Sequence, residues 1–158
     1  MTRRRRGFTL IELVITVAIV GILASMAVPF TENVIVRNRE ADLRIALRQI
    51  RAALDAYRQA FDEGHIERSP LDSGYPRRLE QLVEGVEDAK RPDHARIHFL
   101  RRLPRDPFHP DAGVPAADTW GKRAYASPAD APYEGEDVFD VHSLSAGTGL
   151  NGIPYREW

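Results

Sequence analysis

Residues 7–31 read GFTLIELVITVAIVGILASMAVPFT, and this apolar segment determines the architecture of the chain. From position 13 to position 31, 19 consecutive residues carry no charge, and they lie between Glu12 and Glu32. As a helix, such a run is about 28 Å long, close to the ~30 Å thickness of the hydrocarbon core of a bilayer. The segment therefore predicts a helix that meets a membrane.

A basic leader precedes the apolar segment and consists of Arg3, Arg4, Arg5 and Arg6. The 158-residue chain has 22 Lys and Arg against 23 Asp and Glu, but only 18 of the basic residues follow Gly7. The net charge of −1 therefore combines a leader of +4 with a body of −5. Arginines on one side of an apolar segment hold that side in the cytoplasm. An acidic body argues against a nucleic-acid binder whose whole surface is basic.

The sequence contains no familiar catalytic arrangement. Because the chain has no cysteine, disulfides, thiolate metal sites and cysteine nucleophiles are excluded. We find no general acid–base pair, no Ser–His constellation and no phosphate-binding glycine loop. His94 and His98 have the spacing of a helical metal pair, but no third ligand is in register, so we expect both on the surface.

Three other interpretations of the apolar segment compete with a membrane-spanning assembly helix. A secretory signal peptide would be cut near Ser25, Met26 and Ala27, although the run is longer than a usual signal core and Glu12 lies at its start. A helix buried in a soluble core would leave the basic leader unexplained. A membrane-tethered binding module would keep that leader.

Behind the arginines, residues 7–14 read GFTLIELV, a string that resembles the processing site of type IV prepilins and of type II secretion pseudopilins. The resemblance implies that prepilin peptidase cuts between Gly7 and Phe8 and methylates the new amino terminus of Phe8. It also implies that Glu12 forms an assembly salt bridge with the cationic amino terminus of a neighbouring subunit. Pro29 stands where these proteins commonly carry a proline that kinks the helix.

The chemistry of these residues suits the implied roles. Glycine has no Cβ, so an extended backbone at Gly7 can approach a protease closely. A carboxylate near the membrane boundary, such as that of Glu12, is costly unless it is paired. We therefore favour the assembly role over an idle acid at the interface. Gly21 and Pro29 both weaken the helix locally.

A second helical pattern follows Pro29 and forms one apolar stripe: Val36, Leu43, Leu47, Ile50, Leu54, Tyr57 and Phe61. Spacings of three, four and seven residues predict an amphipathic helix whose stripe packs on other elements. We expect the opposite face to be solvated, because arginines and acids alternate there: Arg37, Arg39, Glu40, Asp42, Arg44, Arg48, Arg51, Asp55 and Arg58. Gly64 is predicted to end this helix, and a short second helix is expected over residues 79–86.

Three carboxy-terminal segments are similar to the major (G-type) pseudopilin of type II secretion: residues 103–108 (LPRDPF), 120–125 (WGKRAY) and 137–144 (DVFDVHSL), with a terminal Trp158. Apolar and polar residues alternate over 138–144, which predicts a strand, and Tyr125 closes another short strand. We expect an α+β fold of the type IV pilin-like class. Its long amino-terminal helix, with a transmembrane half and an amphipathic half, would pack on a small carboxy-terminal antiparallel sheet.

The resemblance also implies a calcium site, because the family binds calcium through aspartates that follow its Ser-Leu segment. Here residues 145–152 read SAGTGLNG and include no carboxylate. Calcium takes about six to eight oxygen ligands, several of them from acids. Asp130, Glu134 and Asp137 are the acids that could substitute. We expect no cofactor, with the loop held without metal.

These observations predict three parts: a cleaved leader at 1–7, a transmembrane and assembly half-helix at 8–31, and a periplasmic pseudopilin domain at 32–158. The resemblance implies a single-pass inner-membrane protein that builds a pseudopilus and helps drive protein export, and not an enzyme. The implied partners are further copies of the chain, other pseudopilins, prepilin peptidase and the inner-membrane assembly platform, with no nucleic acid. The alternatives are a type IV pilin or minor pilin, and a soluble protein exported by a signal peptide.

Overall fold

The computed structural model describes residues 8–69, 72–128 and 130–158, with the backbone alone for residues 25–33. Its first helix, α1, spans Leu10–Asp62 and includes 53 residues. One long amino-terminal helix is therefore confirmed. Gly7 lies outside the described residues, and so does the side chain of Pro29, whose effect on the helix axis stays a prediction.

Contacts within the chain divide it into two compact units, Met1–Asn38 and Arg39–Trp158. In the first unit, every large apolar side chain described between positions 8 and 23 is exposed by half or more, from 51% for Ile15 to 82% for Leu10. Among the residues that the structure describes, no helix combines the length and the apolar character that crossing a membrane requires.

In the second unit, the predicted stripe of α1 forms one side of the hydrophobic core from Leu43 to Tyr57. At its two ends the side chains are only half-buried: Phe61, and Val36 in the first unit. Leu43 and Ile50 are fully buried, and Leu47, Leu54 and Tyr57 are nearly so. They pack against apolar side chains from the rest of the unit: Leu79, Leu82, Ala117, Trp120, Val138, Val141 and Tyr155. Full burial of a large apolar side chain contributes about 1.5–3 kcal/mol, so this stripe is a main source of the unit's stability.

Gly64 terminates α1 by adopting a left-handed conformation, with φ of 80°. The N–H of Gly64 donates to the carbonyl of Phe61 at 3.0 Å, and the N–H of His65 donates to that of Ala60 at 2.9 Å. This pair of hydrogen bonds is a Schellman motif, which glycine favours because it has no Cβ to clash at positive φ. The predicted end of the helix is confirmed.

The remaining elements are short: α2 (Gln81–Glu84), β1 (Val86–Glu87), β2 (Arg96–Ile97), β3 (Trp120–Arg123) and β4 (Asp140–Ser143), with 3-10 helices at Ala116–Thr119 and Tyr155–Glu157. β1 pairs with β2 and β3 with β4, both antiparallel. The α+β class is confirmed. The helix predicted over 79–86 is shorter than expected because Val86 belongs to β1.

The predicted strands also exceed the observed ones. β3 ends at Arg123, and Tyr125 lies exposed in the following turn, since the pairing register stops where Arg123 faces Asp140. β2 lies between His94 and His98, so their spacing is not that of a helical pair. Both histidines are exposed, as expected.

Candidate assembly site

Thr9 caps the amino-terminal end of α1. Its hydroxyl oxygen accepts a hydrogen bond from the backbone N–H of Glu12 at 3.3 Å, and its carbonyl accepts one from the N–H of Leu13 at 3.2 Å. Thr followed three residues later by Glu is the sequence of a capping box, in which side chains satisfy the free N–H groups at a helix start. The cap fixes the beginning of α1 within two residues of Phe8.

Glu12 lies in the first turn of α1, where the helix dipole favours a negative charge. Its side chain is exposed, and no hydrogen bond or ion pair from another described residue reaches its carboxylate. Apolar side chains that are themselves exposed surround it in sequence, and Phe8 is 77% exposed. Among the described residues, nothing neutralises this carboxylate on the apolar helix, and its chemistry suits it to bind a cation.

Thr16 shows how the apolar half of α1 accommodates a polar side chain. Its hydroxyl donates a hydrogen bond to the carbonyl of Leu13 at 2.8 Å. Such a bond inside the helix satisfies the hydroxyl without water or a neighbouring helix, as apolar surroundings require. Among the described residues, the Glu12 carboxylate takes part in no comparable hydrogen bond within the helix, which distinguishes it from Thr16.

The three carboxy-terminal segments picked out by sequence meet around the buried carboxylate of Asp106. This carboxylate accepts hydrogen bonds from the Ser143 hydroxyl at 2.5 Å and from the Phe108 N–H at 2.8 Å. The N–H of Asp106 donates to the Thr119 hydroxyl at 3.2 Å, and Trp120 Nε1 donates to the carbonyl of Pro104 at 2.9 Å. A buried carboxylate must be hydrogen-bonded to be stable. Asp106 therefore requires the donors that Ser143 and Phe108 provide.

Arg51 joins α1 to the last strand. Its Nε donates to Asp140 Oδ1 at 2.7 Å, and its guanidinium also donates to the carbonyls of Val141 at 3.1 Å and Trp158 at 2.8 Å. Arg51 was expected on a solvated face, and its side chain is 37% exposed, but these contacts hold it in place. The guanidinium fork instead matches three acceptors that only the folded unit brings together.

His142 of β4 lies opposite Gly121 of β3. A Cβ atom built at position 121 would lie 2.2 Å from His142 Nε2, so only glycine leaves room for the imidazole. Burial lowers the pKa of His142 and outweighs the carboxylates of Asp140 and Glu134, which act to raise it. His142 is therefore neutral at neutral pH.

The carboxy-terminal loop does not offer the donors that calcium prefers. Residues 145–152 have no carboxylate, and the Asn151 side-chain oxygen already accepts a hydrogen bond from the N–H of Ile153 at 3.1 Å. Asp130 and Glu134 are exposed, and Asp137 accepts from the N–H of Tyr125 at 2.8 Å. No group of three or more acidic, histidine or cysteine side chains suited to a metal occurs among the described residues. The residues present do not fit the family's calcium site.

Sequence reasoning missed the role of Glu40. The residue was expected on the solvated face, but it is only 4% exposed. The apolar stripe contained the signal, because Glu40 precedes Leu43 by three residues and therefore continues the register of the buried positions. The arginines on either side suggested a solvated face instead.

Comparisons with known proteins identify a short amino-terminal motif and several longer relatives. Residues 2–28 match the family model of the prokaryotic N-terminal methylation motif. The chain is 34% identical over 113 residues to the type II secretion system core protein G of Dickeya chrysanthemi, which covers 68% of this chain and 66% of that relative. It is 32% identical over 152 residues to the protein of the same name from Vibrio cholerae, covering 91% of this chain and 82% of that relative.

A shorter similarity links the chain to fimbrial proteins. The type IV major fimbrial protein FimA of Dichelobacter nodosus is 44% identical over 55 residues, which is 35% of either chain. No solved structure gives a significant match.

Proposed function

The chain belongs to the type II secretion system core protein G family, and on that basis we propose that it polymerises into a periplasmic pseudopilus that helps drive protein export. It is a structural subunit and not an enzyme. The methylation motif over residues 2–28 supports processing by prepilin peptidase before assembly.

The observation that carries the proposal is the extent of the similarity to secretion proteins. The match to the Vibrio cholerae protein covers 91% of the chain, so it includes most of the carboxy-terminal unit. The fimbrial match covers 35%, which is too short to include that unit. The proposal therefore favours a secretion pseudopilin over a type IV pilin or minor pilin.

Glu12 provides the chemistry of assembly in this proposal. Cleavage after Gly7 gives Phe8 a free amine close to the capped start of α1. When apolar helices of two copies pack side by side, the Glu12 carboxylate of one faces the methylated amine of the other. A charge left unpaired in an apolar contact costs about 3–5 kcal/mol, so the pair fixes the axial register.

Removal of the leader prepares the subunit for this step. The leader carries four arginines, which would hold the amino-terminal end in the cytoplasm. Without them, the apolar helix can leave the bilayer for a helical bundle. In this proposal the precursor is a single-pass protein of the inner membrane, with its carboxy-terminal unit in the periplasm. The proposed partners are other copies, other pseudopilins and the inner-membrane assembly platform.

Mass spectrometry of the protein purified from its native membrane tests the processing step. The expected first residue is Phe8 with one added methyl group on its amine. Cleavage after Ala27 would indicate a secreted soluble protein, and an intact leader would indicate a tethered module. Either of these two results would contradict the proposal.

A further inference from the structure

Glu40 places a buried carboxylate where α1 meets the carboxy-terminal loop, residues 144–152. Its Oε1 accepts a hydrogen bond from the N–H of Leu150 at 2.6 Å and one from the hydroxyl of Tyr155 at 3.2 Å. Its Oε2 lies 4.0 Å from the guanidinium of Arg44. Hydrogen bonds to an ionised carboxylate are shorter and about twice as strong as neutral ones, so this contact is a strong link between distant parts of the chain.

Backbone hydrogen bonds join the carboxy-terminal loop to the residues that follow it. The N–H of Tyr155 donates to the carbonyl of Gly147 at 3.1 Å, and the N–H of Gly149 donates to that of Ile153 at 2.9 Å. At the base of the loop, the Ser143 hydroxyl accepts from the N–H of Ser145 at 3.1 Å. These bonds shape the loop locally, whereas the bond from Leu150 to Glu40 attaches its tip to α1.

Tyr155 supports the same attachment from the other side of Glu40. Its ring stacks on that of Phe108 with centroids 4.1 Å apart, which fixes the direction of the hydroxyl. Burial raises the pKa of Tyr155, and its hydrogen bond to Glu40 raises it further. The hydroxyl therefore remains a donor to the carboxylate over the whole physiological pH range.

We propose that the Glu40 carboxylate holds the carboxy-terminal loop in place in this chain, where the family uses calcium. The loop therefore keeps its structure without the metal. A cation would draw loop oxygens together, whereas Glu40 binds a loop N–H directly. The Glu40 carboxylate already accepts hydrogen bonds from two donors, and the loop itself provides no acid. This inference concerns the fold of the second unit and does not depend on filament assembly.

Hydrogen exchange of the full chain in detergent micelles tests the proposal, read on peptides that cover residues 144–152. We expect the wild-type exchange rates and the thermal midpoint to be the same in EDTA and in millimolar calcium. Glu40→Ala should accelerate exchange at the Leu150 amide about tenfold or more, because a charge-assisted hydrogen bond is lost. Calcium should not restore protection in that variant.

Two further variants make the test specific. Asp42→Ala removes an exposed acid two residues away on the same helix, and it should leave loop exchange unchanged. Glu40→Gln keeps an acceptor oxygen at the same place, so it should give rates between those of wild type and Glu40→Ala, and it carries the test if the alanine variant does not fold. Calcium-dependent protection in the wild type, or unchanged loop exchange in both Glu40 variants, would overturn the proposal.

Discussion

Glu12 and Glu40 lie on the same helix and differ in what surrounds their carboxylates. Glu12 is exposed among exposed apolar residues, and the described part of the chain provides no partner for its carboxylate. Glu40 is buried and holds two donors from the carboxy-terminal part of the chain. The proposed function gives Glu12 a partner on another subunit, whereas Glu40 links α1 to the carboxy-terminal part of the fold.

Replacement of Glu12 separates assembly from processing. Glu12→Ala should leave cleavage after Gly7 largely intact, because the cut lies outside the helix, but it should abolish incorporation into filaments. The measurement is the amount of processed protein in sheared filament and membrane fractions. Asp42→Ala is the matched control and should assemble normally. Filaments of wild-type abundance from Glu12→Ala would refute the assembly role.

The half-buried His142 predicts acid sensitivity. Burial lowers its pKa in the folded state, so protonation favours the unfolded state. The stability that neutral His142 contributes is complete above about pH 6.5 and is lost as the pH falls from there toward the folded-state pKa. Denaturant unfolding of the full chain between about pH 7.5 and 5 should show this loss.

His142→Asn should reduce the dependence of the free energy of unfolding on pH in this range. His94→Asn is the control, because His94 is exposed and its positive φ of 49° is one that asparagine tolerates. His94→Asn should show the same dependence of the free energy of unfolding on pH as the wild type. An unchanged slope in His142→Asn would show that another group causes the acid sensitivity.

At the scale of elements, β3 and β4 depend on a close approach at Gly121. An added methyl group there would meet the imidazole of His142, its partner in the strand register. Gly121→Ala should therefore lower the free energy of unfolding by about 1–3 kcal/mol, the usual cost of overpacking. Chemical denaturation of the full chain measures this change.

A double variant tests the physical cause of that loss. His142→Ala removes the ring that the new methyl group would meet. Gly121→Ala should therefore lower the free energy of unfolding clearly less in the His142→Ala background than in the wild type. Gly152→Ala is a contrasting control, since a Cβ atom there meets no neighbour and only the positive φ of 80° is strained. Equal costs of Gly121→Ala with and without His142 would contradict a steric clash.

The elements differ in how well sequence predicts them. Two local signals were sufficient for the long helix. The spacing of the apolar stripe predicts the amphipathic helix, and Gly64 predicts where it ends. The strands are two or four residues long, so their limits depend on pairing between distant segments, and β1 and β2 were not foreseen. Glu40 and Arg51 were assigned to a solvated face because their partners lie about 90 to 110 residues away in the chain.

The two units differ in how far their apolar side chains are exposed. The described apolar side chains between positions 8 and 23 are exposed, whereas the second unit buries its stripe in a core of its own. The charge is also unevenly distributed, since the leader carries four arginines and the rest of the chain has a net charge of −5. The proposed passage from a bilayer into a filament would require an apolar helix together with a domain that has a core of its own.

Deletion of the coding sequence tests the proposal that this subunit helps drive protein export. The measurement is a quantitative comparison of proteins in the culture medium and the periplasm, with the wild-type chain and Glu12→Ala as complementing alleles. We expect exported proteins to disappear from the medium and to accumulate in the periplasm, and only the wild-type chain to restore export. An unchanged set of exported proteins after deletion would contradict it.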